Sequence, residues 1–441
     1  MTVIEYTPVH SIPKIVADAR ANFLTHRTQS LEFRKQQLRA LLRLLEENAE
    51  ALKGSILADL NRAGDFEIPT CIQATKDFID NLEKYTQNQK GTNVAEKDES
   101  YVRLSPLGTV LVIGAWNFPI MLNLEPLAGA LAAGNTVIIK PSENSEHSAR
   151  LLTQLVEKYM DPSVVSVVNG GVEETTVLLQ HRFDHIIYTG STQVGRIVMQ
   201  AAAKHLTPVT LELGGKCPAI IGSSADIGKA AQKIAGWKTG NCGQICLSVD
   251  YVLCPKHLQE PLIKAIIGTW QHLFGQNIKD NKSYPKIINK RQHARLEGLL
   301  KAVKAENKVV FGGNSDAENL FIEPTIVTNV SLKDTIMQDE IFGPILPIIT
   351  SESLAESINI INGGEHPLGL YLFSEDKDEV EEVLTKTRSG AAIVNDVASH
   401  FLNHSLPFGG VGNSGIGRYH GKYSIEAFSH QRAVMVRSSH L

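Results

Sequence analysis

Two glycine-bearing segments hold the side chains best suited to covalent chemistry. Glu212 lies in Leu211-Glu212-Leu213-Gly214-Gly215-Lys216, and Cys246 in Asn241-Cys242-Gly243-Gln244-Ile245-Cys246. A thiolate attacks a carbonyl carbon, and a carboxylate draws a proton from water. Such a pair has the two groups needed to oxidise an aldehyde to an acid through a thioester. The thiol needs activation, because a free cysteine pKa of about 8.5 leaves little thiolate at neutral pH. Cys71, Cys217 and Cys254 are read as small apolar residues. Cys242 lies four residues before Cys246, so a helix there would put both thiols on one face and permit oxidative pairing.

Three other segments carry binding chemistry. Tyr188-Thr189-Gly190-Ser191-Thr192-Gln193-Val194-Gly195-Arg196 follows an apolar run and opens a helical pattern. Glycines permit a tight turn there, and the N–H groups of a helix start suit a phosphate. A plain turn capped by Ser191 or Thr192 would use the same residues. Lys140-Pro141-Ser142-Glu143 follows a strand, at the edge where open α/β sheets gather ligands. Its carboxylate can accept from a ribose and its lysine can donate to the sugar or a phosphate, although a solvated turn also explains it. Gly410-Val411-Gly412-Asn413-Ser414-Gly415 matches GxGxxG, but no strand precedes it and no helical pattern follows. It therefore reads as a flexible or shaping loop.

These segments need a frame. Residues 30–61 predict a packed surface helix, with Leu38, Leu41, Leu42 and Leu45 at i, i+3, i+4, i+7 spacing. Residues 84–100 are polar and read as a loop or exposed hairpin. Short apolar strands then alternate with helices: strands at 109–114, 135–140, 164–168 and 184–189, helices at 124–133, 148–159 and 194–204. A second series contains strands at 219–221, 249–253 and 371–373 and a helix around 227–237. The fold class is α/β, with parallel sheets covered by helices.

A length of 441 residues exceeds what one core usually serves. A net charge of −4 and the lack of a long Lys/Arg block argue against a nucleic-acid partner. Five cysteines, odd in number and widely placed, read as reduced thiols of a cytosolic-type compartment. No CxxC or His-rich spacing points to a metal. Residues 104–124 carry no charge and are long enough to cross a bilayer, but Pro106, Gly108, Gly114 and Pro119 fit a strand and loop better.

Taken in order, Trp116-Asn117-Phe118-Pro119, Lys140-Pro141-Ser142-Glu143, Gly190-Ser191-Thr192, Glu212-Leu213-Gly214-Gly215-Lys216, Gly243-Gln244-Ile245-Cys246, Glu340-Ile341-Phe342-Gly343-Pro344 and Pro407-Phe408-Gly409-Gly410 resemble the NAD(P)-dependent aldehyde dehydrogenase superfamily over nearly the whole chain. The compact length and the tail Arg418-Tyr419-His420-Gly421-Lys422-Tyr423-Ser424 resemble its class 3 branch. The resemblance implies a Rossmann-like cofactor domain at 1–83 and 106–210, and an α/β catalytic domain at 211–398. A small oligomerisation element at 84–105 and 399–441 would complete a homodimer.

The resemblance also implies roles. Cys246 is the nucleophile and Glu212 activates water, while the Asn117 amide and the Cys246 N–H hold the oxyanion. Glu340 and Phe342 position the nicotinamide ribose, with Trp116 in the cofactor-binding set. Lys140 and Glu143 bind the adenosine ribose, and Gly190, Ser191 and Gly195 serve the phosphates. NAD is the expected cofactor, because Glu143 would repel a 2′-phosphate; Lys140 softens that repulsion, so NADP is the alternative. The class 3 branch implies apolar aldehydes, medium to long aliphatic or terpenoid and apocarotenoid, with Tyr101, Met121, Ile245 and Phe401 in the pocket. Ile245 stands where Thr is often found, a change that would reshape the pocket floor. The location expected is cytoplasmic. The chain ends at Leu441 without the apolar tail that anchors some fatty-aldehyde members, leaving peripheral membrane contact rather than a span. A CoA-acylating relative generally lacks the water-activating Glu, so Glu212 favours hydrolysis. A silent binding protein of this fold would have lost Cys246, Glu212 or Asn117. Esterase activity would be a side reaction.

Overall fold

A computed structural model describes residues 4–93 and 98–437. One sheet has its strands in the order Gly415–Ile416, Val209–Glu212, His185–Thr189, Thr109–Ile113, Thr136–Lys140, Val165–Val167. All pairs are parallel except Gly415–Ile416 against Val209–Glu212. From Thr109–Ile113 the chain builds outward in one direction, then returns to build in the other through His185–Thr189. Such a reversal opens a crevice at the strands' carboxyl ends, where doubly wound sheets take their ligands. Trp116-Asn117 and Gly190-Ser191 follow the two strands that flank it.

Both faces of this sheet are covered. Val110, Val112, Val137 and Ile139 pack into one core, whereas Leu111, Ile113, Ile138 and Ile186 pack into the other. Successive strand residues point to opposite faces, so a strand buried on both sides must be apolar throughout.

The other large sheet runs Val309–Phe311, Thr325–Val327, Ile345–Thr350, Tyr251–Cys254, Pro218–Ile221, Gly369–Phe373, Ala391–Val394. It is parallel apart from its Val309–Phe311 edge. The Cys246 loop precedes the strand Tyr251–Cys254, and the Glu340 loop precedes Ile345–Thr350. The candidate site thus combines loops leaving the first sheet with loops entering the second. A separate antiparallel sheet joins Gln89–Lys90, Glu99–Pro106 and Ser429–Val436.

The α/β class is as expected, but some elements differ. Residues 30–61 form two helices, Leu31–Glu47 and Ala49–Leu60. Asn48 leaves helical geometry between them and donates its side-chain N–H to the Leu44 carbonyl. Leu38, Leu41 and Leu45 are fully buried, as is Leu44, while Leu42 is half-buried. The helix Glu67–Thr86 extends into the polar stretch, which continues as the Gln89–Lys90 hairpin strand; positions 94–97 lie outside the described residues. Residues 104–124 divide among a strand end, the strand Thr109–Ile113 and the start of the helix Met121–Ala133. Among the described residues no helix is long and apolar enough to cross a membrane.

Candidate active site

A cleft of about 1260 Å³ is lined by Trp116, Asn117, Gly190, Ser191, Glu212, Cys246, Glu340 and Phe342. Lys140, Glu143 and Gly195 do not line it. Lys140 is buried and ion-paired with Glu143 at 2.9 Å. Gly195 brings the helix Thr192–Ala203 against the Glu212 strand extension: a Cβ there would stand 2.6 Å from Leu213 Cδ2. Met121, Ile245 and Phe401 line the cleft, but Tyr101 does not. Tyr101 is built into the small antiparallel sheet, opposite Lys90 and Val434.

The Asn117 loop is heavily braced. Glu67 is fully buried, and its Oε1 accepts from the N–H groups of Ile120 (2.7 Å) and Met121 (2.8 Å) at the start of the helix Met121–Ala133. Its Oε2 pairs with Arg62 Nη2 at 2.6 Å. Arg62 also donates to the Asn117 carbonyl at 3.3 Å, and Asn241 Nδ2 donates to the same oxygen at 2.9 Å. Asn117 itself is 4% exposed and gives its side-chain amide to the Gln244 carbonyl at 3.1 Å.

The Cys246 loop is held by an unusual backbone. Asn241, Cys242 and Gly243 have φ of 47°, 57° and 70°. Cys242 and Cys246 therefore do not share an α-helical face; Cys242 is fully buried and donates to the Tyr284 hydroxyl at 3.4 Å. At Gly243 any Cβ would lie 2.3 Å from the Gly343 carbonyl, so the loop can press against the Glu340 loop only with glycine there. Gln244 anchors the far side, donating to Lys286 and accepting from Ile288 N–H. Cys246 opens partly to the cleft but is ringed by protein. Burial raises its thiol pKa, the charges of Glu340 and Glu212 add to that, and its own N–H and that of Leu247 oppose it.

Glu212 ends its strand with 2% exposure, and neither carboxylate oxygen has a hydrogen-bond partner among the described residues. Burial alone drives its pKa well above the ordinary range. Its backbone is fixed: Gly190 N–H donates to the Glu212 carbonyl at 3.0 Å, and Gly415 is its antiparallel neighbour. The GxGxxG segment is thus a shaping loop. Its Ser414 carbonyl accepts from Leu213 N–H at 3.0 Å, and its Asn413 carbonyl accepts from the Thr192 hydroxyl at 3.2 Å.

Glu340 sits on a stapled loop. Lys216 pairs with Asp250 and donates to the carbonyls of Ile336 (3.1 Å) and Asp339 (3.0 Å). Asp250 accepts from Ile341 N–H at 3.0 Å, and Arg295 donates to the Ile341 carbonyl at 2.7 Å. Burial raises the Glu340 carboxyl to about 8, with Asp250 adding to it and the Gly215 N–H, Lys216 and Arg295 opposing. Phe342, at φ 49°, meets Trp116 edge to face with ring centroids 5.4 Å apart. That contact joins the two motifs across the two sheets.

Arg62, Glu67, Asp250, Arg295 and Tyr419 were not singled out from the sequence. Their partners lie far along the chain, so no local spacing marks them; only the tail motif around Tyr419 gave a signal.

The "Aldehyde dehydrogenase family" model matches residues 2–434. "Aldehyde dehydrogenase family 3 member A2" of Mus musculus is 46% identical over 424 residues, 95% of this chain and 87% of that protein. "Aldehyde dehydrogenase, dimeric NADP-preferring" of Rattus norvegicus is 44% identical over 434 residues, 97% of this chain and 95% of that one. The substrate-bound structure of Staphylococcus aureus AldH superposes with a TM-score of 0.95 at 39% identity, covering 98% of this chain and 95% of that chain. A full-length match of this kind, on a cleft that gathers the Cys, Glu and Asn motifs, means that the chain belongs to the aldehyde dehydrogenase family as a class 3-like, NAD(P)-dependent enzyme.

Proposed function

We propose that this enzyme oxidises medium- to long-chain or other apolar aldehydes, terpenoid and apocarotenoid ones included, through a thioester on Cys246. The observation that carries the reading is the meeting of Cys246, Glu212 and Asn117 in one cleft that also presents Phe66, Met121, Ile245, Phe401 and Phe408. Aromatic and aliphatic walls favour an apolar chain by removing its surface from water.

The Cys246 thiol loses its proton to water in the cleft, and the sulfur bonds the aldehyde carbon as the carbonyl π pair moves onto oxygen. An amide nitrogen carries two N–H groups; Asn117 gives one to Gln244, so the second, together with the Cys246 N–H, holds the oxyanion. When bound, NAD(P)+ supplies the hydride acceptor. Once oxidised, the acyl carbon remains on Cys246 as a thioester. Glu212 then takes a proton from water as the water oxygen bonds to that carbon, and the C–S bond breaks to release the acid.

The cleft suits a dinucleotide. Gly190 and Ser191 stand at the sheet's switch point, where the Ser191 side chain caps the helix Thr192–Ala203, and the side chains of Arg196, Lys216 and Arg295 line the same space. Glu340 and Phe342, braced against Trp116, would hold the nicotinamide ribose. Lys140 and Glu143 would hold the adenosine ribose from just outside the cleft, with NAD favoured and NADP accepted. The Gly195 contribution is to bring the phosphate-binding helix close. The domain limits remain 1–83 with 106–210 for the cofactor, 211–398 for catalysis, and 84–105 with 399–441 for oligomerisation, although Gly415–Ile416 pairs with Val209–Glu212 of the first sheet. The separate antiparallel sheet would be the homodimer contact of a cytoplasmic enzyme that can touch membranes peripherally.

The test is reduced-cofactor formation across aldehydes of increasing chain length, with NAD and NADP in parallel. Turnover rising with apolar chain length supports the reading. Turnover only when CoA is added would favour an acylating enzyme instead.

A further inference from the structure

The nucleophile sits on a stretch of backbone whose successive carbonyls are all held. The Gln244 carbonyl accepts from Asn117 Nδ2 (3.1 Å) and Asn241 Nδ2 (3.2 Å), and the Ile245 carbonyl accepts from Ser248 N–H at 2.9 Å. The next two are held from the second sheet. Cys217 Sγ donates to the Cys246 carbonyl at 3.2 Å, and the Tyr371 hydroxyl donates to the Leu247 carbonyl at 2.7 Å. Both residues are fully buried, and neither lines the cleft. Cys217 directly precedes the strand Pro218–Ile221, which pairs with the strand Gly369–Phe373 that carries Tyr371.

Cys217 is more than the small apolar residue its sequence context suggests. Its sulfur also accepts from the Gly369 N–H at 3.3 Å, and its carbonyl accepts from the Asp250 N–H at 2.8 Å. The thiol thus links one strand of the sheet to the nucleophile's own peptide. Burial drives its pKa well above the ordinary value, with the Gly369 N–H opposing, so it remains a donor at neutral pH.

A trans peptide carries its C=O and its N–H on opposite sides of one plane. Fixing the Cys246 carbonyl on Cys217 therefore turns the Leu247 N–H away from Cys217. Glu340 and Glu212 face the Cys246 sulfur and add to the effect of burial against its ionisation, while the N–H groups of Cys246 and Leu247 favour it.

We propose that Cys217 and Tyr371 are positioning residues that hold the Cys246–Leu247 peptide so that its N–H stabilises the attacking thiolate. The proposal rests on the thioester reading above. As the Cys246 S–H bond breaks, the proton passes to water in the cleft and the electron pair stays on sulfur beside that N–H. A donor fixed before the charge forms needs no reorganisation when it appears.

The test is iodoacetamide labelling of Cys246 across pH, followed on the Cys246 peptide by mass spectrometry, with the melting temperature of each variant alongside. Cys217→Ala removes the donor. Its labelling at neutral pH is expected to slow severalfold to about tenfold, with the rise in rate displaced to higher pH. Cys217→Ser keeps a donor and is expected to regain most of the parental rate. Tyr371→Phe keeps the ring without the hydroxyl and is expected to slow labelling by a smaller factor.

A parental rate in Cys217→Ala or in Tyr371→Phe overturns the proposal. Equal slowing in Cys217→Ala and Cys217→Ser overturns it too, because a packing role would give that result. So does slowing with no displacement of the pH profile, which marks lost access rather than lost thiolate. If Cys217→Ala does not fold, Tyr371→Phe decides alone. Oxidation that survives complete labelling of Cys246 in the parent enzyme overturns the thioester reading itself.

Discussion

The cleft is walled by two kinds of polar residue. On one side stand the Asn117 and Glu340 loops, whose supports are heavily bonded: Glu67 takes two backbone N–H groups and Arg62, and Lys216 takes Asp250 and two carbonyls. On the other stand Glu212 and Tyr419, equally buried and without a partner for their polar atoms among the described residues. Unpaired burial costs stability, so the contrast separates two duties. Groups that fix geometry are bonded to several partners, and Glu212, which must change protonation, is left open.

Five changes probe that contrast. Cys246→Ala removes the nucleophile on which both sides converge, and oxidation should fall by up to about 10⁶ while fluorescence titration shows dinucleotide binding retained. Glu212→Gln acts on the open side: steady-state turnover should drop ~10²–10⁴, with first-turnover hydride release preserved in stopped flow. Asn117→Ala removes an oxyanion donor, and kcat should fall ~10²–10³ with KM little changed. Arg62→Met acts on the heavily bonded side and leaves the fully buried Glu67 without its cation. Breaking such a pair costs about 3 kcal/mol or more, so urea unfolding should move to lower concentration, with the kcat loss following from a loosened Asn117.

The smallest effect concerns pH. Glu340 is raised from 4.5 to about 8, so between those values the folded state keeps a proton that the unfolded chain has lost. Its stabilising contribution is complete below the lower value and is lost as pH rises toward the upper one. Glu340→Gln should flatten that part of the dependence of melting temperature on pH. Because an ionised carboxylate accepts ribose hydroxyls best, NAD affinity of the parent enzyme should rise as pH passes about 8, where the folded Glu340 loses its proton.

The motifs were legible because chemistry demands particular residues within a few positions of one another. The parallel strands were legible because burial on both faces makes them apolar throughout. The supports were not. Glu67 reads as one more residue of an amphipathic helix, since its backbone partners lie 53 and 54 positions away. Cys242 and Cys246 would share a face only in a helix, and packing of Gly243 against Gly343 goes with a left-handed run instead. Tyr101 lies near a motif in sequence, yet strand pairing carries it into another sheet. Asn48 lies inside the helix expected over 30–61, yet it leaves helical geometry with its side-chain N–H on the Leu44 carbonyl. Each of these outcomes depends on a side-chain bond or a distant contact that the apolar pattern does not encode.

The central claim is that a Cys246 thioester is hydrolysed by water that Glu212 activates. Rapid-quench peptide mass spectrometry on Glu212→Gln, mixed with aldehyde and NAD, tests it most directly. The account predicts an acyl adduct on the Cys246 peptide that accumulates alongside one burst of NADH and then decays slowly. NADH release with no adduct on Cys246, or turnover at the parental rate, would contradict it.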